Sequence, residues 1–433
     1  MATTAITNVR LFDGENEHSP TTVVLSGPVI QGIGVPIPAD ATVIDGTNCT
    51  LLPGLIDAHT HTKIPQLKLA LTFGVTTELE MMGYWTPEQR AEVASRDDIA
   101  DLRSASFGLT PPGGHPSELH GPRGGKGKDG PPAGKPPGSG PPHTHGHGHD
   151  HGHKGGEGKR QGIKAPNASN PHEAVAFVQA RIEEGADYIK IMIEEGSVLK
   201  APGLPVPSND TILAAVHEVH RREKMAIAHI LTYDTAEIAI DAGMDGLAHI
   251  FIDRPADESF IHKAKAAGTF ITPCLCLNAS IMGLPPASLA SDERVSSKLS
   301  QEWLSTLKSS FNTYPAGDFN VVLKTVGDLH KAGIDILAGT DASVPMPHLG
   351  GLAHGASVHH ELQLLVQAGL TTVDALKAAT SVPARRFGLK DRGHVKEGLR
   401  ADLLLVEGNP TINISDTLSI KGVWKRGVRL DQN

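Results

Sequence analysis

Cysteine is scarce in this chain: Cys49, Cys274 and Cys276 are the only three in 433 residues. Three thiols cannot build a disulfide framework, and they fit a reducing compartment. No apolar run approaches the roughly 20 residues that cross a bilayer, so no membrane partner is expected. Positive charge is not in excess. A formal net charge of −9 argues against a nucleic-acid partner, which requires a basic face. Aromatic residues make up only 4%, beside 39% hydrophobic and 20% charged, an ordinary balance for a soluble globular protein. The start, Met1-Ala2-Thr3-Thr4-Ala5, lacks the charged and apolar regions of a secretory signal, so a cytoplasmic location is expected.

What is present is a repeating pattern between two strand-rich ends. The length suits one large domain plus a smaller one. Residues 1–52 hold short strand-like runs separated by Asp13-Gly14, Ser26-Gly27 and Asp45-Gly46, and residues 391–433 have the same character. Together they predict one small β-sandwich built from both termini. Residues 53–390 alternate strands with amphipathic helices, which predicts an α/β fold with a parallel sheet or barrel. Strands are expected near residues 52–57, 75–81, 103–109, 187–193, 225–229, 246–249, 269–274 and 334–340. Eight strands favour a (β/α)8 TIM-like barrel. The alternative, an open doubly wound sheet, is weakened because no Gly-x-Gly-x-x-Gly opens the first unit. Helix starts are marked by Asn170 with Pro171 and Glu173, and by Asp234 with Glu237.

Residues 119–162 break the pattern, being Gly, Pro, Lys and His with almost no apolar residue. Such a stretch cannot bury enough surface to offset the entropy of ordering, and a flexible loop insertion within the barrel is expected. It carries His143, His145, His147, His149, His151 and His153. It reads either as a low-complexity expansion or as a loose metal-gathering arm.

The chemistry-bearing residues recur at the ends of predicted strands. Leu55-Ile56-Asp57-Ala58-His59-Thr60-His61 ends in His-x-His, and neutral imidazole is the commonest side-chain metal ligand. Alone, this pair is as compatible with packed histidines as with a metal site. Downstream, Lys190 sits mid-strand in Tyr188-Ile189-Lys190-Ile191-Met192. His229 and His249 each end a short apolar run, and Asp341 follows Ala338-Gly339-Thr340. Chemistry at the carboxyl ends of successive strands is what a β/α barrel provides. A lysine aimed into a strand-lined interior is costly as a cation, so its pKa should fall toward the neutral amine.

In sum His59, His61, Lys190, His229, His249 and Asp341 resemble the metal set of the amidohydrolase superfamily. The phrases Pro53-Gly54-Leu55-Ile56-Asp57-Ala58-His59-Thr60-His61, Gly74-Val75-Thr76-Thr77, Gly339-Thr340-Asp341-Ala342, Glu361-Leu362, Ala378-Ala379-Thr380-Ser381-Val382-Pro383-Ala384 and Gly398-Leu399-Arg400-Ala401-Asp402 narrow the likeness. They resemble the imidazolonepropionase-like branch that includes metal-dependent prolidases and ochratoxinase. The resemblance implies two divalent ions, zinc first and manganese or iron as other fits. It also implies a carboxylated Lys190 joining them and a metal-bridging hydroxide that hydrolyses an amide. Asp341 is then the proton shuttle, where its other reading is a helix cap.

Weaker candidates surround this set. His115, in Gly113-Gly114-His115, resembles a substrate-loop histidine, and His354 resembles a family His-Gly; Tyr233 and Tyr188 could donate hydrogen bonds or simply pack. His359 and His360 are expected to be solvated on a helix, and Met81-Met82 to be core or pocket wall. Glu194-Glu195 and Ala248 depart from the close relatives' pattern where substrate would lie. The expected partner is a small-molecule amide with a hydrophobic or prolyl end. A cyclic amide or lactone is the alternative substrate, and a non-catalytic metal-storage protein the alternative class. The exposed sandwich and barrel helices could support a homo-oligomer.

Overall fold

The structure is a computed structural model that describes residues 2–120 and 166–431. The histidine-rich tract and the rest of the expected loop beyond His120 lie outside the described residues. The first five strands are β1 (Thr3–Phe12), β2 (Glu17–Ser26), β3 (Val29–Ile33), β4 (Thr42–Asp45) and β5 (Cys49–Pro53). Barrel strands follow as β6 (Leu55–Thr60), β7 (Val75–Glu80), β8 (Asp101–Ser104), β9 (Ile189–Met192), β10 (Ala226–His229), β11 (Gly246–Ala248) and β12 (Phe270–Thr272). The chain ends with β13 (Leu403–Glu407), β14 (Ile420–Lys425) and β15 (Val428–Arg429).

Both termini build one sheet in the order β15-β14-β13-β5-β1-β2-β3, with β4 parallel to β1. Inward residues of the two ends share one core, in which Ile6, Val23 and Leu51 meet Leu403, Leu405 and Trp424. The sequence predicts a single strand over 52–57, but the chain breaks it at Gly54. Pro53 ends a sandwich strand and Leu55 starts a barrel strand. A side chain could not stand at Gly54, because its Cβ would fall 2.3 Å from Thr76. The Gly54 N–H donates to the Asp402 carbonyl at 2.8 Å, which ties the crossing point to the returning C-terminal segment.

β6-β7-β8 and β9-β10-β11-β12 are two runs of parallel strands. Leu109 joins them on one side: its N–H donates to Lys190 O at 2.8 Å and its carbonyl accepts from Met192 N at 2.9 Å. On the other side residues 334–341 take the place of the eighth strand. Leu337 N donates to Ile271 O at 2.8 Å, and Ala58 N donates to Ala338 O at 2.8 Å, closing the cylinder. This stretch was expected to be a regular strand, yet it pairs only through isolated bridges at Ile336 and Ala342. The third strand is likewise shorter and earlier than expected, because Ser106 turns the chain with φ +59°.

Along β9, which is buried throughout, successive side chains alternate between the two faces of the sheet. Ile189 and Ile191 pack outward on the helices, Tyr188 fills the barrel floor, and Lys190 and Met192 face the cavity above it. The helix Pro171–Glu183 starts as expected, with Asn170 Oδ1 accepting from Glu173 N at 3.0 Å. The helix Tyr233–Asp241 is capped two residues before the predicted cap Asp234: Thr232 and Thr235 form the box, and Asp234 lies in the first turn. No helix among the described residues is long and apolar enough to cross a membrane.

Candidate metal centre and active-site cavity

His59, His61, His229 and His249 lie at or just past the carboxyl ends of barrel strands, Lys190 is the second residue of β9, and Asp341 ends the stretch that takes the place of the eighth strand. His61, Lys190, His229, His249 and Asp341 line one cavity of about 500 Å³. His59 lies beside them, fully buried, with its ring centroid 4.6 Å from that of His249 and 5.5 Å from that of His61. The His229 and His249 rings are 4.8 Å apart. Asp341 Oδ1 sits 3.1 Å from His59 Nε2 and 2.9 Å from His61 Nε2. Two of these residues carry left-handed backbone at non-glycine positions, His249 with φ +73° and Asp341 with φ +61°. Such conformations cost on the order of 1–3 kcal/mol each and gather at functional sites, where they aim side chains.

The donor set fits a divalent cation. Burial pushes the His59 pKa down to about 3 and holds His229 and His249 well below the ordinary imidazole value. All three rings are therefore neutral and offer lone pairs. His59 Nε2 and Asp341 Oδ1 approach closely without hydrogen-bond alignment, and His59 Nδ1 and His249 Nδ1 are buried without partners. Buried polar atoms left this way are rare and call for an explanation such as a bound ion. His59, His61 and Asp341 form one group of close ligand atoms, and His59, His249 and Cys274 another. Lys190 is 1% exposed, and burial lowers its pKa to about 8, toward the neutral amine that the sequence anticipates.

A second layer of polar residues holds the first. Asp57 Oδ1 accepts from the backbone N of His59 at 3.2 Å and of Thr340 at 3.1 Å, and Oδ2 accepts from Thr340 Oγ1 at 2.7 Å. One carboxylate thereby fixes the ends of the first and eighth strands together. Gly339 permits the close approach, since a Cβ there would stand 2.9 Å from His59 Cβ. Glu80, which the sequence does not single out, lies 3.9 Å from His61 Nδ1 and accepts from Met82 N and Ser104 Oγ. Burial raises its pKa to about 8. Its signal was the alternation Glu78-Leu79-Glu80, two carboxylates inside an otherwise buried strand.

The Amidohydrolase family matches residues 152–430. The chain belongs to the amidohydrolase family. An adenine deaminase of Bacillus licheniformis is 23% identical over 286 residues, which is 61% of this chain and 45% of the deaminase. The match thus spans less than half the length of that relative. A Xaa-Pro dipeptidase crystallised with bound methionine superposes with TM-score 0.72 at 21% identity, over 100% of both chains. The ochratoxinase of A. niger superposes with TM-score 0.69 at 22% identity, over 99% of this chain and 95% of that one. These likenesses show the fold, a TIM-like barrel with a β-sandwich from the termini.

The residues expected to touch substrate in this amidohydrolase divide on inspection. His115 lines the cavity, its ring stacked on that of His229 at 4.4 Å and its Nδ1 2.6 Å from Glu118 Oε1. His354 does not reach the cavity. It is fully buried, with Nδ1 2.7 Å from Glu78 Oε1 and Nε2 donating to Ser343 O at 2.8 Å, so neither nitrogen is available to a ligand. Tyr233 is also withdrawn: its hydroxyl donates to Asp257 Oδ1 at 3.0 Å and the Arg254 guanidinium covers its ring. Both belong to the frame. Tyr188 packs in the floor and donates to Glu80 O at 2.9 Å. His359, expected in solvent, is fully buried, whereas Met82 forms cavity wall as anticipated.

Proposed function

We propose that this amidohydrolase is a metal-dependent hydrolase that cleaves the amide C–N bond of a small, largely apolar molecule. The observation that carries the reading is the convergence of neutral imidazoles, one carboxylate and one buried amine at the rim of a single apolar cavity. His59, His61 and Asp341 would hold one divalent ion, and His229 and His249 a second. Zinc suits a set rich in nitrogen donors. The unprotonated form of Lys190, which burial favours, can add to carbon dioxide and lose a proton, giving a carbamate whose negative charge would offset part of the ions' charge. When bound, such ions lower the pKa of water from about 15.7 toward about 7 and polarise a carbonyl oxygen.

The chain's own residues supply the rest. Asp341 faces the cavity as an anion able to take a proton from the attacking water and deliver it to the departing amine nitrogen. The net change is amide plus water to carboxylic acid plus amine. His115 has Nδ1 engaged by Glu118, which leaves Nε2 to orient the substrate carbonyl. Met82, Phe107, Met192, Leu231, Leu277, Ile281 and Phe311 wall the cavity and exclude water from the reacting centre.

Among the described residues that line the cavity, Lys190 is the only Lys or Arg. A free carboxylate on the substrate would find no guanidinium among those described residues, which favours neutral or N-acyl amides with hydrophobic arms over short charged peptides. The names of the two structural neighbours, a Xaa-Pro dipeptidase and an ochratoxinase, support amide cleavage. The test is a screen of zinc-loaded protein against neutral amides, N-acyl amino acids, dipeptides and lactones, repeated with Asp341→Asn. Turnover of hydrophobic amides that is lost in Asp341→Asn supports the reading. Turnover untouched by chelation or by that substitution overturns it.

A further inference from the structure

We propose that Glu194 is a positioning residue of the centre, holding the His229 imidazole in the tautomer that leaves Nδ1 as its metal-binding atom. The inference rests on the metal-centre reading above. Glu194 lies two residues past the end of β9 and is 2% exposed. Its side chain reaches His229, which lines the cavity. One carboxylate oxygen, Oε1, is pinned by the Gly196 N–H at 2.7 Å. The other, Oε2, stands 3.3 Å from His229 Nε2. Among the described residues His229 is its one ion-pair partner.

Glu194 Oε2 engages Nε2, so Nδ1 is the ring nitrogen left for a metal, and a lone pair there requires the ring hydrogen to sit on Nε2, facing the Glu194 oxygen. A neutral imidazole carries only one N–H, and the lone pair then falls to Nδ1. The His115 ring stacks on that of His229 at 4.4 Å, so the imidazole has a neighbour on its face as well as at Nε2. Metal-bound histidines usually donate their second N–H to a carboxylate or carbonyl. That partner fixes tautomer and orientation, and losing it weakens metal affinity roughly 10- to 100-fold.

The experiment uses the full chain loaded with zinc. Zinc affinity is read by chelator competition for wild type, Glu194→Gln and Glu194→Ala, and the His229 tautomer is read by nitrogen-15 NMR of the wild type. The expected result is one ion loosened roughly 10- to 100-fold in Glu194→Ala, with the other unchanged. Most of the loss should be restored in Glu194→Gln, whose amide oxygen still accepts. The wild-type His229 signal should be that of the Nε2–H form. Unchanged zinc affinity in Glu194→Ala overturns the proposal, as does a Gln variant as weak as the Ala variant, or an Nδ1–H tautomer in the wild type. Absence of turnover on every amide, with zinc affinity behaving as stated, would count against the hydrolase reading alone.

Discussion

His359 gives a quantitative prediction far from the cavity. It lies on the helix Ala356–Gln367, fully buried, with Nε2 donating to the Phe73 carbonyl at 2.9 Å and Nδ1 2.9 Å from Thr417 Oγ1. Burial lowers its pKa from 6.5 to about 4. The folded value lies below the unfolded one, so the unfolded chain binds the proton first as pH falls. The contribution to stability is complete above 6.5 and disappears as pH drops toward 4. With about 1.36 kcal/mol per pKa unit, the shift corresponds to about 3 kcal/mol. The assay is urea unfolding of metal-free wild type and His359→Gln between about pH 7 and about pH 4. Other titrating groups contribute equally to both proteins and cancel in the difference. Wild type should lose about 3 kcal/mol more than the variant over that window. Parallel stability curves would refute the reasoning.

Three further outcomes are expected. Arg392→Met should destabilise the protein by about 3 kcal/mol in denaturant titration, because Arg392 pairs with the buried Asp101 and bonds Thr77 Oγ1 at 3.1 Å; adding Asp101→Asn should return part of the loss. Glu361→Ala should cost about 1–3 kcal/mol in thermal unfolding, since the N–H groups of Leu275 and Cys276, at 2.9 and 2.8 Å, lose their buried acceptor. Burial raises the Glu361 pKa from 4.5 to about 7, so this carboxyl favours folding below 4.5 and the benefit is lost as pH rises to 7; Glu361→Gln should remove that slope. Lys190→Ala should lower metal content and turnover together, and an added short-chain carboxylate should restore part of both, as measured by metal analysis alongside rate.

Sequence reading singled out most of the residues that gather at the cavity because they obey a rule that survives folding: a polar residue ends an apolar run. His59, His229, His249 and Asp341 all stand out this way. The same rule placed most strands within a few residues. It failed where tertiary contacts override periodicity. Residues 334–341 read as a strand, but the tight approach at Gly339 and the left-handed turn at Asp341 leave only bridges. The single apolar run across Pro53 and Gly54 concealed a change of sheet. His354, Tyr233 and His359 were misplaced for a common reason. A lone polar residue on a helix or loop does not reveal whether a buried partner awaits it, and Glu78, Asp257 and the Phe73 carbonyl are distant in sequence. Glu80 and Glu194 carried the opposite ambiguity, acids within apolar context whose role depends on the imidazole beside them.

The most direct test of the metal centre is anomalous X-ray diffraction at the zinc absorption edge from crystals grown with zinc. Strong peaks at the cavity rim, bounded by His59, His61 and Asp341 and by His229 and His249, are the expected result. An empty rim in metal-replete crystals, or zinc bound only elsewhere on the chain, would contradict the account.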